Sequence, residues 1–169
     1  MENGGVFGGC STHRLDDVGR FVLPKRFRLS LGESFVITRG INCLLVLTND
    51  AFYKISDKAL ELAGPVEALF NQSVSSIYHH LFAEMVEARV DGQGRIQLTP
   101  ELRAHAGIDR DLVMIGVGNW VEIWSVERWE DYKKKSLTPE NLVDAAQVVF
   151  GKKDAGESDG EVPSSGSSE

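Results

Sequence analysis

The chain repeats itself, and that repetition limits its possible folds more than any other feature. LDDVGRFVLPKRFRLSLG, residues 15–32, lies over VDGQGRIQLTPELRAHAG, residues 90–107, without a gap. Asp16 meets Asp91, Gly19 meets Gly94, Arg20 meets Arg95, Leu23 meets Leu98, Arg28 meets Arg103 and Gly32 meets Gly107. After two extra residues in the second copy the match resumes. FVIT from Phe35 then lies over LVMI from Leu112, Val46 over Ile123, Leu47 over Trp124 and Phe52 over Trp129. Each copy is therefore one structural unit. A unit of about 40 residues has too small a core to stand alone. The two copies are expected to pair as a pseudo-dimer, the strands of one completing the sheet of the other.

Within each unit a strand runs into D-x-x-G-R and a second strand leaves it, RFVLP in the first copy and RIQLTP in the second. Gly19 and Gly94 suit a tight turn that needs positive φ, and Asp16 and Asp91 suit a carboxylate that accepts nearby backbone N–H groups. A short helix follows. Thr99 is its expected N-cap in the second copy, with Pro100 at the first helical position; Pro24 opens the helix in the first copy. Gly32 and Gly107 end these helices. Two further strands come next, FVITRG with LLVLT and LVMIGVG with WVEIWS. Their alternation is partial, which suggests burial on both faces. The fold class expected is a β-rich α+β protein of two tandem β-β-α-β-β units with flanking helices.

The expected organisation is a first unit over residues 6–62, a helical connector over 63–86, a second unit over 87–135, a last helix over 136–151 and a disordered acidic tail over 152–169. The connector reads as helical from Pro65 to Val86, with Leu69, Val74, Ile77, Leu81 and Phe82 at helical spacing. TPENLVDAAQVVF has a Thr138 cap and Pro139 in the first turn. The tail is rich in Gly and Ser and carries two Lys against five acids.

Net charge is -7, which excludes a uniformly basic nucleic-acid binder but leaves room for a local basic face. Between Cys10 and Gly40 six basic residues face three acids. No run approaches the ~18 uncharged apolar residues of a spanning helix, so no membrane insertion is expected. The start MENGGVFGGC shows no secretory signal. Cys10 and Cys43 are too few for a disulfide scaffold and read as buried, reduced thiols.

D-x-x-G-R, strand, Pro, short helix, Gly and two strands together resemble the swapped-hairpin barrel of the SpoVT/AbrB superfamily. Two copies in one chain, with H-x-L-D-x-x-G-R at His13–Arg20 and G-V-G-x-x-x-E-I-W-S at Gly116–Ser125, resemble the MraZ family. The opening VFGG and the TRG at Thr38 fit as well, and the resemblance covers about residues 6–135. It implies a sequence-specific regulator of transcription in the cytoplasm, associated with the nucleoid. Such a regulator acts on the division and cell-wall gene cluster, forms a ring-shaped homo-oligomer and binds direct repeats in double-stranded DNA. It implies that the loops Asp16–Arg20 and Asp91–Arg95 face DNA. Family members often have Lys where this chain has Val18, so one phosphate contact is missing from the first loop. Gln93 in the second loop keeps a polar group that can reach a phosphate or a base edge.

Arg20 and Arg95 are the leading DNA-binding candidates, since guanidinium takes phosphate or the O6 and N7 of guanine. The plainer reading is a turn held by an Asp–Arg pair; duplication of the turn favours DNA. Asp16 and Asp91, with Gly19 and Gly94, are assigned to ordering the loops. Gln93, Arg14, Arg26 and Arg28 complete the candidate DNA-binding set, with Lys25 and Arg103 secondary; Arg26 and Arg28 either reach flanking phosphates or form a solvated face. His13 is expected in a structural hydrogen bond before the loop. His79 and His80 are adjacent and lack partners at zinc spacing, so no metal is expected. Trp120, Trp124 and Trp129 read as core or subunit contacts. No catalytic residue, cofactor or small-molecule substrate is expected. The competing classes are a protein-binding module, as in antitoxins built on the same barrel, and an enzyme, for which no convergent ionisable groups are visible.

Overall fold

The computed structural model describes residues 6–151. The tail expectation for 152–169 lies outside the described residues. The chain divides into two units, residues 1–130 and 131–169. The first unit runs β1 (Cys10–Arg14), β2 (Arg20–Val22), α1 (Lys25–Leu31), β3 (Ser34–Arg39), β4 (Leu44–Thr48), α2 (Asn49–Ala63), α3 (Pro65–Phe70) and α4 (Gln72–Phe82). It then repeats the opening order with β5 (Val86–Arg89), β6 (Arg95–Gln97), α5 (Pro100–Ala106), β7 (Asp111–Gly116) and β8 (Val121–Ser125). The helix α6 (Val126–Ser136) crosses the division, and α7 (Pro139–Phe150) lies in the second unit. This is a mixed α/β protein with one large antiparallel sheet and, among the described residues, seven helices.

Six strands form the sheet in the order β1-β7-β8-β4-β3-β5. That order is a palindrome of the two copies. The first strand of each copy lies on the other copy's hairpin: β1 pairs with β7, and β5 with β3. The seam between the copies is β4 on β8. The remaining strands, β2 and β6, form a separate two-stranded antiparallel ribbon, again one strand from each copy.

One core serves both copies. Leu23, Phe27, Phe35, Ile37 and Leu44 from the first copy meet Ile96, Leu98, Leu102, Leu112, Met114 and Ile123 from the second, each essentially removed from solvent. Burying side chains of this size stabilises a fold by roughly 1.5–3 kcal/mol apiece. β3 is buried at four consecutive positions because both its faces are covered. Phe35 and Ile37 enter the shared core, while Val36 joins Leu47 and Phe52 in a second cluster beneath α2.

The local signals act as their chemistry dictates. Thr99 accepts a hydrogen bond from the N–H of Leu102, and Thr138 from that of Asn141. The connector differs from the single helical reading. Asn71 leaves helical geometry at φ -91°, ψ 114°, and its side chain caps the N–H groups of Ser73 and Val74. An Asn side chain that satisfies two orphan donors makes a new helix start cheaper than continuing the old one. Val86 is already strand, paired with Ile37. The cysteine expectation is corrected in one half: Cys43 is buried, but Cys10 is exposed. Cys10 opens β1, an edge strand whose alternate residues face outward.

Candidate nucleic-acid interface

The two D-x-x-G-R loops have one hydrogen-bonded frame. In the first, the N–H of Asp16 donates to Arg20 O at 2.8 Å and that of Gly19 to Asp16 O at 3.0 Å. Asp16 Oδ1 accepts from the backbone N–H of Val18 at 3.1 Å and of Arg20 at 2.8 Å, and Oδ2 accepts from Arg20 Nε at 2.8 Å. In the second, Asp91 Oδ1 accepts from Gln93 N and Arg95 N, both at 2.9 Å, and Oδ2 from Arg95 Nε at 2.9 Å. These donors hold both carboxyls below the usual carboxylate range. The backbone N–H of the arginine is the largest cause in each loop, followed by burial in the opposite sense and then by the guanidinium. Each aspartate thus spends its charge inside its own loop. Each arginine is held by Nε, and no group among the described residues bonds its two Nη groups.

Gly19 and Gly94 sit at φ +81° and +77°, where a side chain is strained. Each is also crowded by the other copy. A Cβ on Gly19 would stand 3.0 Å from the carbonyl oxygen of Leu98, and one on Gly94 would meet the guanidinium of Arg28. The glycine carbonyls are caught across the pseudo-dimer, Gly19 O by the N–H of Leu98 and Gly94 O by that of Leu23, both at 2.9 Å.

Both loops feed the ribbon. Phe21 and Ile96 turn inward and are buried. Strand alternation therefore puts Arg20 and Val22, with Arg95 and Gln97, on the outer face. Arg20 pairs with Gln97 and Val22 with Arg95, so the two arginines are diagonal neighbours, about 7–8 Å apart at Cα. That spacing falls within one major groove, about 12 Å wide, which admits a two-stranded ribbon. Free Nη groups on such a face can take phosphate oxygens or the O6 and N7 of guanine.

The other candidates lie around this face. Arg28 lines an open groove with Arg89, Asp91, Gly92 and Gly94, beside the second loop. Lys25 and Arg26 line a second groove that begins at Val22 and runs to Ser11 and His13. There Arg26 Nη2 donates to Ser11 Oγ at 3.2 Å, and the guanidinium lies 4.7 Å from the Phe27 ring centre. His13 Nε2 is 2.8 Å from Ser11 Oγ; burial, then the Arg26 charge, lowers its pKa. Arg14, at the end of β1, is exposed and lies 3.6 Å from Asp111. Gln93 is exposed at the tip of the second loop.

Sequence reasoning missed Gln97. Its Nε2 donates to the carbonyl of Val18 at 2.8 Å, tying the tip of the first loop to the second copy. Alternation in R-I-Q, with apolar Ile96 between two polar residues, was the available signal. Val22 occupies the corresponding place opposite the second loop and has no donor. Also missed was Arg110, whose Nη2 lies 2.9 Å from Asp17 Oδ1 on the first loop. Gly92 replaces that aspartate in the second.

Elsewhere, His80 and His105 each direct Nε2 at the carbonyl of Gly40, at 3.1 and 2.8 Å. No group of three or more His, Cys, Asp or Glu among the described residues is placed to hold a metal ion. Trp124 is buried, and its Nε1 and that of Trp120 both donate to the Glu122 carboxylate. Burial, with the nearby Glu122 charge, pushes the Cys43 thiol up to about 12. No helix among the described residues is long and apolar enough to cross a membrane.

The family model described as "MraZ protein, putative antitoxin-like" matches residues 6–72 and 81–150. A protein of Caldanaerobacter subterraneus subsp. tengcongensis is 41% identical over 129 residues, 76% of this chain and 87% of that one. One of Syntrophomonas wolfei is 39% identical over 145 residues, 82% and 98% of the two chains. One of Saccharopolyspora erythraea is 38% identical over 128 residues, 75% and 86%. Each of the three is named transcriptional regulator MraZ.

Proposed function

From the premise that the chain belongs to the MraZ family, we propose that it is a sequence-specific DNA-binding transcriptional regulator without enzymatic activity. It acts in the cytoplasm, on the nucleoid, at the promoter of the division and cell-wall gene cluster. The observation that carries the reading is the outer face of the β2–β6 ribbon, where two aspartate-held arginines stand on one diagonal. The ribbon enters the major groove, Arg20 and Arg95 contact bases or phosphates, and Gln93 contacts a base edge or phosphate from its loop. Arg28 and Arg26 reach flanking phosphates from the two grooves beside the ribbon; Arg14 is a peripheral contact. The two exchanged halves form the swapped-hairpin barrel, divided as first unit 6–62, connector 63–86 and second unit 87–135, with a last helix over 136–151.

Several copies form a ring, so that successive ribbons meet short direct repeats. Support for self-association is the apolar surface left open on the connector helices: Val66, Leu69, Phe70 and Ile77 are all more than half exposed. Avidity across a ring multiplies weak single contacts and offsets the overall charge of -7. The same open helices, with a family described as antitoxin-like, support the second reading of a module that binds a protein partner.

Fluorescence anisotropy with DNA from upstream of the protein's own gene, at two salt concentrations, tests the reading. The expected result is preference over unrelated DNA, weakened steeply by salt and lost in the Arg20→Ala/Arg95→Ala double variant. A folded oligomer that binds neither DNA at low salt overturns it and favours the protein partner.

A further inference from the structure

The first loop presents an apolar side chain where a phosphate-binding loop has no use for one. Val18 stands between Asp16 and Arg20 and is 55% exposed. Its backbone is fixed at both polar atoms. The N–H donates to Asp16 Oδ1, and the carbonyl accepts from Gln97 Nε2, which comes from the other copy. A lone exposed valine is ordinary on a protein surface. This one is held at both backbone atoms at the tip of a loop whose last residue, Arg20, lies on the outer ribbon face. The loop's own charge is compensated by Asp16–Arg20 and Asp17–Arg110 pairing.

An isopropyl group gains nothing from a phosphate and nothing from the hydrogen-bonding edges of guanine, cytosine or adenine. The one apolar group in the major groove is the C5-methyl of thymine. Resting on the DNA-binding reading above, we infer that Val18 is a specificity-determining residue that reads a thymine methyl, with Gln97 as the positioning residue that holds it there. The second loop reads differently: Gln93 offers an amide, the side chain that pairs with adenine N6 and N7. The two loops of one chain therefore recognise different bases, and the operator unit is asymmetric.

The test removes the methyl and leaves every Watson–Crick pair intact. The fragment upstream of the protein's own gene is amplified once with dTTP and once with dUTP, and both products are titrated with wild type, Val18→Ala, Gln97→Ala and Gln93→Ala. Wild type is expected to bind the uracil fragment at least about fourfold more weakly, the factor for one buried methyl. Val18→Ala and Gln97→Ala each show a reduced difference, because the shorter or less firmly held side chain loses contact with the methyl, and Gln93→Ala keeps the full difference. Wild type that binds both fragments equally overturns the inference and leaves the DNA-binding reading standing. So does a Val18→Ala variant that retains the full difference. Failure of folded wild type to bind either fragment overturns both.

Discussion

The first and second loops are built on the same frame and end in different tips. In both, an aspartate accepts two backbone N–H groups and one arginine Nε, at distances that agree within 0.2 Å between the loops. In the first, an ion pair at Asp17 and a cross-copy bond at Val18 fix the tip. In the second, Gly92 and Gln93 stand at those places. The frame follows from residues that match between the copies; the tips follow from residues that do not. The common part aims a cation, and the divergent part sets what lies beside it.

The largest expected effect separates the two arginines. Gln93 beside Arg95 offers a polar contact that Val18 beside Arg20 does not, so the second loop is expected to grip more strongly and Arg95 to contribute more to affinity than Arg20. Arg95→Ala is expected to weaken binding to the upstream fragment tenfold or more, within the ~1–3 kcal/mol of a good base contact. Arg20→Ala should weaken it less. Equal losses in anisotropy would break the comparison.

The glycines come next. Alanine at positive φ costs about 1–3 kcal/mol. Gly19→Ala also presses on the backbone oxygen of Leu98, whereas Gly94→Ala displaces only the flexible end of Arg28. Thermal unfolding should therefore drop further for Gly19→Ala. The Gly94 variant should show the larger loss in DNA affinity, through Arg28.

A smaller effect follows from Gln97→Ala, which removes one hydrogen bond, ~0.5–1.5 kcal/mol. Amide exchange should rise at the first loop and stay unchanged at the second. The reciprocal Val22→Gln should slow exchange at the second loop by supplying the donor it lacks.

The smallest effect tests the frame itself. Asp16 and Asp91 are both held low in the folded state. Their contribution to stability is full above the unfolded carboxylate range, near pH ~4, and is lost as pH falls through the lower folded value. Carboxyl resonances followed by NMR should show both titrating below that range. A normal titration at either site would mean that the frames differ as well as the tips.

What was legible in the sequence was what depends on near neighbours. The caps of Thr99 and Thr138 and the positive-φ turns at Gly19 and Gly94 depend on groups a few residues away, so these residue types announce their roles. Asn71 was equally local, but periodic apolar residues on both sides masked it as helix interior. Gln97 to Val18 and Arg28 to Gly94 join residues that only the pairing of β2 with β6 brings together. One-dimensional periodicity carries no information about such partners. The repeat did carry it in part: once the copies are superposed, Val22 against Gln97 marks where pseudo-symmetry fails.

The covalent joining of the two halves has a consequence for inheritance. A two-fold dimer of separate single-copy chains must present two identical loops, because one coding sequence writes both. A mutation that adapts one loop to its base spoils the other on the facing subunit. Linked through the connector, the copies here mutate independently while strand exchange keeps them folded as one body. Valine and glutamine at matching tips are states that a symmetric dimer of single-copy chains has no means to hold together.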